Sequence, residues 1–344
     1  MYKRTRFAET APVTNRKTIA THDGTFHCDD ALACYLLKQL PKFRNAEIVR
    51  SRDYITIHKA DARVDVGGVY DPERWSFDHH QPTFKVTMAE LRPELKNADI
   101  KLSSAGLVFH HFGQIIIGAQ MKKDPEDPDV KNVFRMVYEN FIREIDGIDN
   151  GINTSDGDIR YSITTGVSSR VKHLNARWNE TLIGDDMSHR FRKAMNLVGK
   201  EFRGRVDYYE KSWIPARELV LQAIATRYEV NETGQIIVLD KGGCPWTGHL
   251  YDIEEDQNIK GEIKYVIFED MTHLYRVQAV AIKDGSFSLR LPLPWKGRRD
   301  EQLSRETNIP GCVFVHSTGF IGGNKTKEGA IQMAIKALEI HNRI

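Results

Sequence analysis

Apolar and polar positions alternate in short blocks through the first eighty residues. Thr18–Thr21 reads as a first strand and runs into His22-Asp-Gly-Thr-Phe-His-Cys-Asp-Asp30. Leu32, Leu36, Leu37 and Leu40 then fall at helical spacing, with Asp29 or Asp30 as N-cap and Pro41 as the stop. Ala46–Arg50 and Ala62–Val66 read as further strands, the latter ending in Asp65-Val-Gly-Gly68. Strand, helix, strand in this order predicts a βαβ unit and a parallel sheet. Val69–His80 predicts a turn with short strands, closing on Asp78-His79-His80. Ser103–Gln120 predicts a buried helix capped by its leading serines. Val130, Val133, Phe134, Val137, Phe141, Ile142 and Ile145 mark an amphipathic helix that ends at Asp146-Gly-Ile-Asp-Asn-Gly151.

Gly151–Gly166 is polar and glycine-rich, hence loop. Met187–Arg227 predicts a long helix interrupted near Pro215. From Gln235 the pattern changes: Gln235–Asp240, Lys264–Glu269, Tyr275–Lys283 and Cys312–His316 read as strands rich in Val, Ile, Tyr and Phe. Gly319-Phe-Ile-Gly-Gly323 predicts a turn before a final helix, Lys327–His341. The domain boundary falls near residue 190, within about twenty residues, which gives domains 18–190 and 191–344.

With 40% hydrophobic and 28% charged residues among 344, the chain can fill two cores. No apolar run approaches the roughly 20 residues that span a bilayer, so an integral helical membrane protein is excluded. A net charge of +2 neither demands nor excludes a nucleic-acid partner. Cys28, Cys34, Cys244 and Cys312 form no CxxC pair, so they predict neither a zinc knuckle nor a disulfide framework but reduced thiols in an intracellular protein. Residues 1–17 carry Lys3, Arg4, Arg6, Arg16 and Lys17 against Glu9, without an apolar secretory core. This reads as a disordered basic tail, with an organellar transit peptide as the alternative.

The chemistry gathers where predicted strands and helices end. His22, His27 and Asp29 share one loop, Asp65 closes a later strand, Asp78, His79 and His80 form a triplet, and Asp146 and Asp149 end a helix. Ligands of open α/β sheets bind outside the carboxyl ends of the strands. Imidazole and carboxylate without thiolate suit Mn²⁺, Mg²⁺, Fe²⁺ or Zn²⁺, and the carboxylates suffice for one to bridge two ions. A single Asp at a strand end is usually a turn or cap residue. Recurrence of His and Asp at several ends of one sheet is what points to a dinuclear site.

The Asp78-His79-His80 triplet, behind an Asp65-bearing strand and a His/Asp loop, resembles the DHH phosphoesterase superfamily. Longer strings are similar to the melanocyte-proliferating-gene (Myg) exonuclease family within it: Thr21–Ala33, Asp65-Val-Gly-Gly-Val-Tyr-Asp-Pro72, Phe77-Asp-His-His-Gln81, Ser103-Ser-Ala-Gly106, Arg290-Leu-Pro-Leu-Pro294, Ile309–His316 and Gly319–Gly323. The resemblance spans about residues 18 to 340. It implies a parallel-sheet DHH domain followed by a smaller α/β DHH-associated domain that holds the substrate. It also implies two Mn²⁺ ions, with Mg²⁺ as the alternative. Their ligands would be His22, His27, Asp29, Asp65 as the bridge, His79 and Asp146, with Asp149 as the fallback. His27 stands where the superfamily has an Asp, one residue further along. His80, with Asp78, is implied to act on the phosphate.

In the second half, Gly322 and Gly323 offer backbone N–H groups for a phosphate, His316 precedes them, and Lys325 follows. Arg290, Lys296, Arg298 and Arg299 surround Trp295, a mixture that suits single-stranded nucleic acid or, read plainly, a solvated loop with a core tryptophan. Ser104 and Arg290 complete the expected substrate contacts. The implied function is metal-dependent 3′–5′ exoribonuclease activity on single-stranded RNA or short oligonucleotides. The alternatives are a small-nucleotide or pyrophosphate phosphohydrolase and a non-catalytic scaffold of the same fold. A nuclear, cytoplasmic or mitochondrial location is expected, no membrane partner is, and a homo-oligomer is left open.

Overall fold

The computed structural model describes residues 16–95 and 98–342; the basic tail expected over 1–17 lies, up to residue 15, outside the described residues. The chain divides into two units, Met1–Tyr209 and Glu210–Ile344.

The first unit opens with β1 (Thr18–Thr21), α1 (Cys28–Gln39), β2 (Glu47–Arg50), α2 (Tyr54–Lys59) and β3 (Ala62–Val64). Two short strands follow, β4 (Tyr70–Asp71) and β5 (Ser76–Phe77), and then α3 (Met88–Leu91). The sheet runs in the order β2-β1-β3-β5-β4. β1 pairs parallel with β2 and β3, and β3 parallel with β5, while β4 returns antiparallel on β5. The neighbours β1, β3 and β5 therefore deliver their carboxyl ends, His22, Asp65 and Asp78–His80, to one edge.

α1 is buried along Ala31–Leu37, so it is apolar all round rather than striped. It packs on α4 (Ser104–Met121) and α8 (Asp186–Tyr208). Between them come α5 (Pro128–Val137), a π turn over Tyr138–Ile142, α6 (Arg143–Asp149) and α7 (Val167–Lys172). Ser103 caps α4 by accepting from the Gly106 N–H at 3.4 Å.

α8 belongs wholly to the first unit, so the division comes later than residue 190. Its buried face (Phe191, Ala194, Met195, Val198, Phe202) needs α1 and α5 to cover it. The helical run does not break near Pro215 but continues from Asp186 to Ala225, with only its hydrogen-bond ladder shifted there. A π turn over Tyr209–Trp213 precedes α9 (Ile214–Ala225), where the proline has no N–H to give to the preceding turn.

In the second unit, α10 (Arg227–Val230), β6 (Ile236–Val238), α11 (Trp246–Asp256), β7 (Tyr265–Glu269) and β8 (Tyr275–Ala279) lead to α12 (Asp300–Thr307), β9 (Cys312–Val315), β10 (Ile321–Asn324) and α13 (Lys327–Asn342). The sheet order is β6-β7-β8-β10-β9, antiparallel except for β6 with β7. Alternation along β7 sends Tyr265 and Ile267 into a core with Ala330, Met333 and Ala334 of α13, and Val266 into a core with Val220, Leu250 and Ile253.

One expectation is overturned. Gly322 and Gly323 sit in β10, paired on both sides, rather than in a turn. Their backbone groups are committed to the ladder and do not form a phosphate cradle. Glycine has poor strand propensity, but strands on both flanks supply partners. At Gly323 a side chain would come within 2.5 Å of the Arg276 guanidinium lying across it, and that flexible end would have to shift.

Candidate metal centre

The β1 end places His22 with Nδ1 2.8 Å from the Asp23 carbonyl oxygen. An Nδ1–H donated there leaves Nε2 as the free lone pair, the tautomer of a metal ligand held by its other nitrogen. That Nε2 lies 3.1 Å from Asp30 Oδ2 and 3.3 Å from Asp65 Oδ2. Asp65 follows β3 with φ at +57°, in the left-handed region that costs a non-glycine residue strain. The strained turn aims its two oxygens apart: Oδ2 toward His22, Oδ1 at 3.4 Å from both His79 Nε2 and His80 Nδ1. Ser104, in the first turn of α4, donates its hydroxyl to Asp65 Oδ1 at 3.4 Å.

Asp78 does not face the cluster as a ligand; it holds its neighbours. Its Oδ2 accepts from the Gly68 N–H at 2.6 Å, and its Oδ1 lies 2.8 Å from His80 Nδ1. His80, with 63% of its side chain exposed, is pinned at one nitrogen and open at the other. Ligand atoms of His22, His27 and Asp65, of Asp65, His79 and His80, and of His27, Asp29 and Asp149 each lie within 4.8 Å of one another.

The structure places the two candidates for the last carboxylate differently: Ser103 engages one oxygen of Asp146 and leaves the other without a hydrogen-bond partner, while Asp149 stands beside His79. Asp146 is fully buried and accepts from the Ser103 N–H at 3.0 Å and hydroxyl at 2.7 Å. It is in none of the three ligand groups. Asp149, three residues on, brings Oδ2 to 3.1 Å from His79 Nε2. Gly106 explains the layering, since a side chain there would press into the Asp146 carboxylate. The Ser103–Gly106 string thus caps α4, seats Asp146 and reaches Asp65.

Charge in the cluster is out of balance. Burial pulls the His22 imidazole down, but Asp30 and Asp65 outweigh it and raise its pKa to about 10. His79 is likewise raised, against burial, to about 9 by Asp149 and Asp65. Burial beside Asp65, Asp149 and Asp30 pushes Asp29 well up. Both Asp29 oxygens, both His79 ring nitrogens and His22 Nε2 are buried without a hydrogen-bond partner. Buried polar atoms are ordinarily satisfied, and orphans on imidazole and carboxylate aimed at one another are what divalent cations satisfy. The donor set, all N and O with no thiolate, suits a divalent cation such as Mn²⁺, Mg²⁺, Fe²⁺ or Zn²⁺.

Two residues here escaped the sequence reading. Asp30 accepts from the His27 N–H at 3.0 Å and fixes the ligand loop onto α1, with His27 rather than an Asp at the N-cap. A second Asp directly behind Asp29 was the available signal. Arg52, thirty residues away, places Nη2 3.3 Å from His22 Nδ1 and also pairs with Asp23; no local pattern marks it.

The substrate residues expected in the second half lie in the second unit and do not form one cluster there. Arg290 makes a two-pronged pair with Glu254, at 2.6 and 2.7 Å, and donates to the Ile263 carbonyl. Trp295 belongs to the core, so no base stacks on it. Arg298 pairs with Glu306, and Arg299 lies 3.9 Å from Asp300. His316 and Lys325 are exposed at opposite ends of the β9–β10 ladder, where their N–H groups bond to Ile321 and Gly311.

Residues 18–338 match the family model MYG1_exonuc, described as an uncharacterised protein family (UPF0160). A protein named MYG1 exonuclease from Bos taurus is 49% identical over 319 residues, 92% of this chain and 83% of that one. Its namesake in Homo sapiens is 48% identical over 92% of this chain and 84% of that one. The MYG1 protein of Dictyostelium discoideum is 47% identical over 93% and 96%. With strand ends, ligand loop and serine cap all inside the matched span, the chain belongs to the MYG1 exonuclease family.

Proposed function

We propose that this chain is a metal-dependent phosphodiesterase that removes nucleotides from the 3′ end of RNA, acting on short single-stranded substrates. Asp65 carries the reading: one carboxylate turns one oxygen to His22 and the other to His79 and His80, joining two sets of ligand atoms. His22 and His27 would hold one cation, Asp29, His79 and Asp149 the other, with Asp65 between them. Two divalent cations supply Lewis acidity at a phosphoryl group and lower the pKa of water. Asp78 holds His80 at Nδ1 and, with Asp65, raises its pKa, which favours the charged ring whose open Nε2–H would reach a phosphoryl oxygen. Ser104 and Asp146 keep the Asp65 and α4 surfaces in register behind the ligands.

A nucleic-acid substrate is supported by the exonuclease names of the mammalian relatives; the polarity and the RNA preference follow the family resemblance. A short substrate is favoured because Arg290 and Trp295, the core of the basic stripe, are committed inside the second unit. The test is metal-dependent turnover of 5′- and 3′-labelled RNA by the purified chain. The 5′-labelled RNA should shorten stepwise, while the 3′ label appears first as mononucleotide. RNA left intact by the Mn²⁺- and Mg²⁺-loaded chain would sink the proposal, and release of phosphate from nucleotides alone would replace it with the small-nucleotide reading.

A further inference from the structure

The cleft over the His/Asp cluster, about 760 Å³, has a wall that binding cations does not explain. That wall comes from the loop and short helix after β2: Arg52, Tyr54, Ile57 and His58, with Val69 from the turn before β4. Tyr54 is 71% exposed and Val69 45%, and neither belongs to a hydrophobic core. The Tyr54 ring instead lies tilted against His58, centroids 3.8 Å apart and planes 32° off parallel. His58 is fixed in turn, its Nδ1 lying 2.9 Å from the Tyr54 carbonyl oxygen. The helix is anchored by Asp53, which accepts from Thr56, and by the buried Ile57 beneath it. The wall is continuous with the cluster, because Arg52 touches the His22 ring.

We infer that this wall is a nucleobase subsite: Tyr54, backed by His58, stacks against the base of the nucleotide whose phosphate lies at the His/Asp cluster. The inference rests on the phosphodiesterase reading above and adds to it how a nucleotide is held. A flat π face is what an exposed aromatic pair offers, and every base has one, so the subsite favours nucleotides over base-free phosphate esters without choosing among bases. Val69 supplies an apolar edge. Arg52, held by Asp23 and lying beside the His22 ring, closes the end of the wall nearest the cluster with positive charge.

The experiment compares two nuclease-resistant phosphorothioate triribonucleotides binding to the full metal-loaded chain. One ends 3′ in 2-aminopurine, the other in an abasic residue. The parent chain should bind the base-bearing probe at least about fivefold more tightly, the lower end of base–aromatic stacking, and quench its fluorescence. Tyr54→Ala should collapse both the affinity ratio and the quenching, while Tyr54→Phe, which keeps the ring, retains them. Circular dichroism on Tyr54→Ala checks that the exposed substitution leaves the fold intact. A chain that hydrolyses RNA but whose Tyr54→Ala variant keeps the parent ratio and quenching overturns the subsite alone. A chain that hydrolyses no RNA overturns the reading beneath it, and the subsite falls with it.

Discussion

Replacing Arg290 separates a structural cation from a nucleic-acid contact. Its side chain is 6% exposed and that of Glu254 1%, and the pair is joined by two bonds of 2.6 and 2.7 Å. Glu254 also accepts from the N–H groups of Gly261 and Ile263, so it ties the loop before β7 to α11. Arg290→Met keeps much of the side-chain volume but leaves a carboxylate buried without its cation, which costs about 3–5 kcal/mol. For a unit of this size, at about 3–5 °C per kcal/mol, its melting transition should drop by about 10–25 °C. Replacing both partners removes the stranded charge, and a buried ion pair exchanged for apolar side chains is commonly neutral or better. Arg290→Met/Glu254→Met should therefore recover most of the loss. Thermal unfolding followed by circular dichroism reads both variants. In parallel, the salt dependence of single-stranded RNA binding reports on phosphate contacts, each worth about 0.7 of log–log slope; the double variant should keep the parent slope. An Arg290→Met chain that melts like the parent, or a double variant whose slope flattens by that amount, would refute the structural assignment.

Asp65→Asn should lower bound metal, measured by elemental analysis, and abolish phosphodiester turnover, because a neutral amide is a poor bridge between cations; full metal content would contradict the bridging geometry. Asp149→Asn should lose metal while Asp146→Asn, which can still accept from Ser103, retains it; the reverse pattern in the same measurement would reinstate Asp146 as the ligand. In the metal-free chain, His22 and His79 hold protons up to about pH 10 and 9, above their ordinary 6.5. Their contribution to stability is therefore complete below pH 6.5 and lost as pH rises through 9–10. Metal-free protein should lose stability across that window in urea titrations while Mn²⁺-loaded protein is held, and calorimetry in buffers of different ionisation enthalpy should register protons released on metal uptake. Parallel pH profiles with and without metal would contradict this.

Much of the centre is a local property of the chain. His22, Asp65 and the Asp78–His80 triplet each end a short apolar run, and a strand–helix–strand order already implies that such ends share one edge. The serine cap of α4 and the π turn before Pro215 are local too, since capping and a missing N–H act within one helical turn. What tertiary structure decided is which of several equivalent groups faces the site. Asp146 and Asp149 differ by three residues at the end of one helix, and only the fold seats one oxygen of the first against Ser103 and brings the second beside His79. Gly322 and Gly323 read as a turn because glycine is a weak strand former, and became strand because β8 and β9 bond to them from both sides. The partner of Arg290 is thirty-six residues distant and His22 lies thirty from Arg52, so no local pattern marks either contact. Charge and hydrogen-bonding capacity are written residue by residue; how that capacity is satisfied depends on which distant side chain the fold brings within about 3 Å.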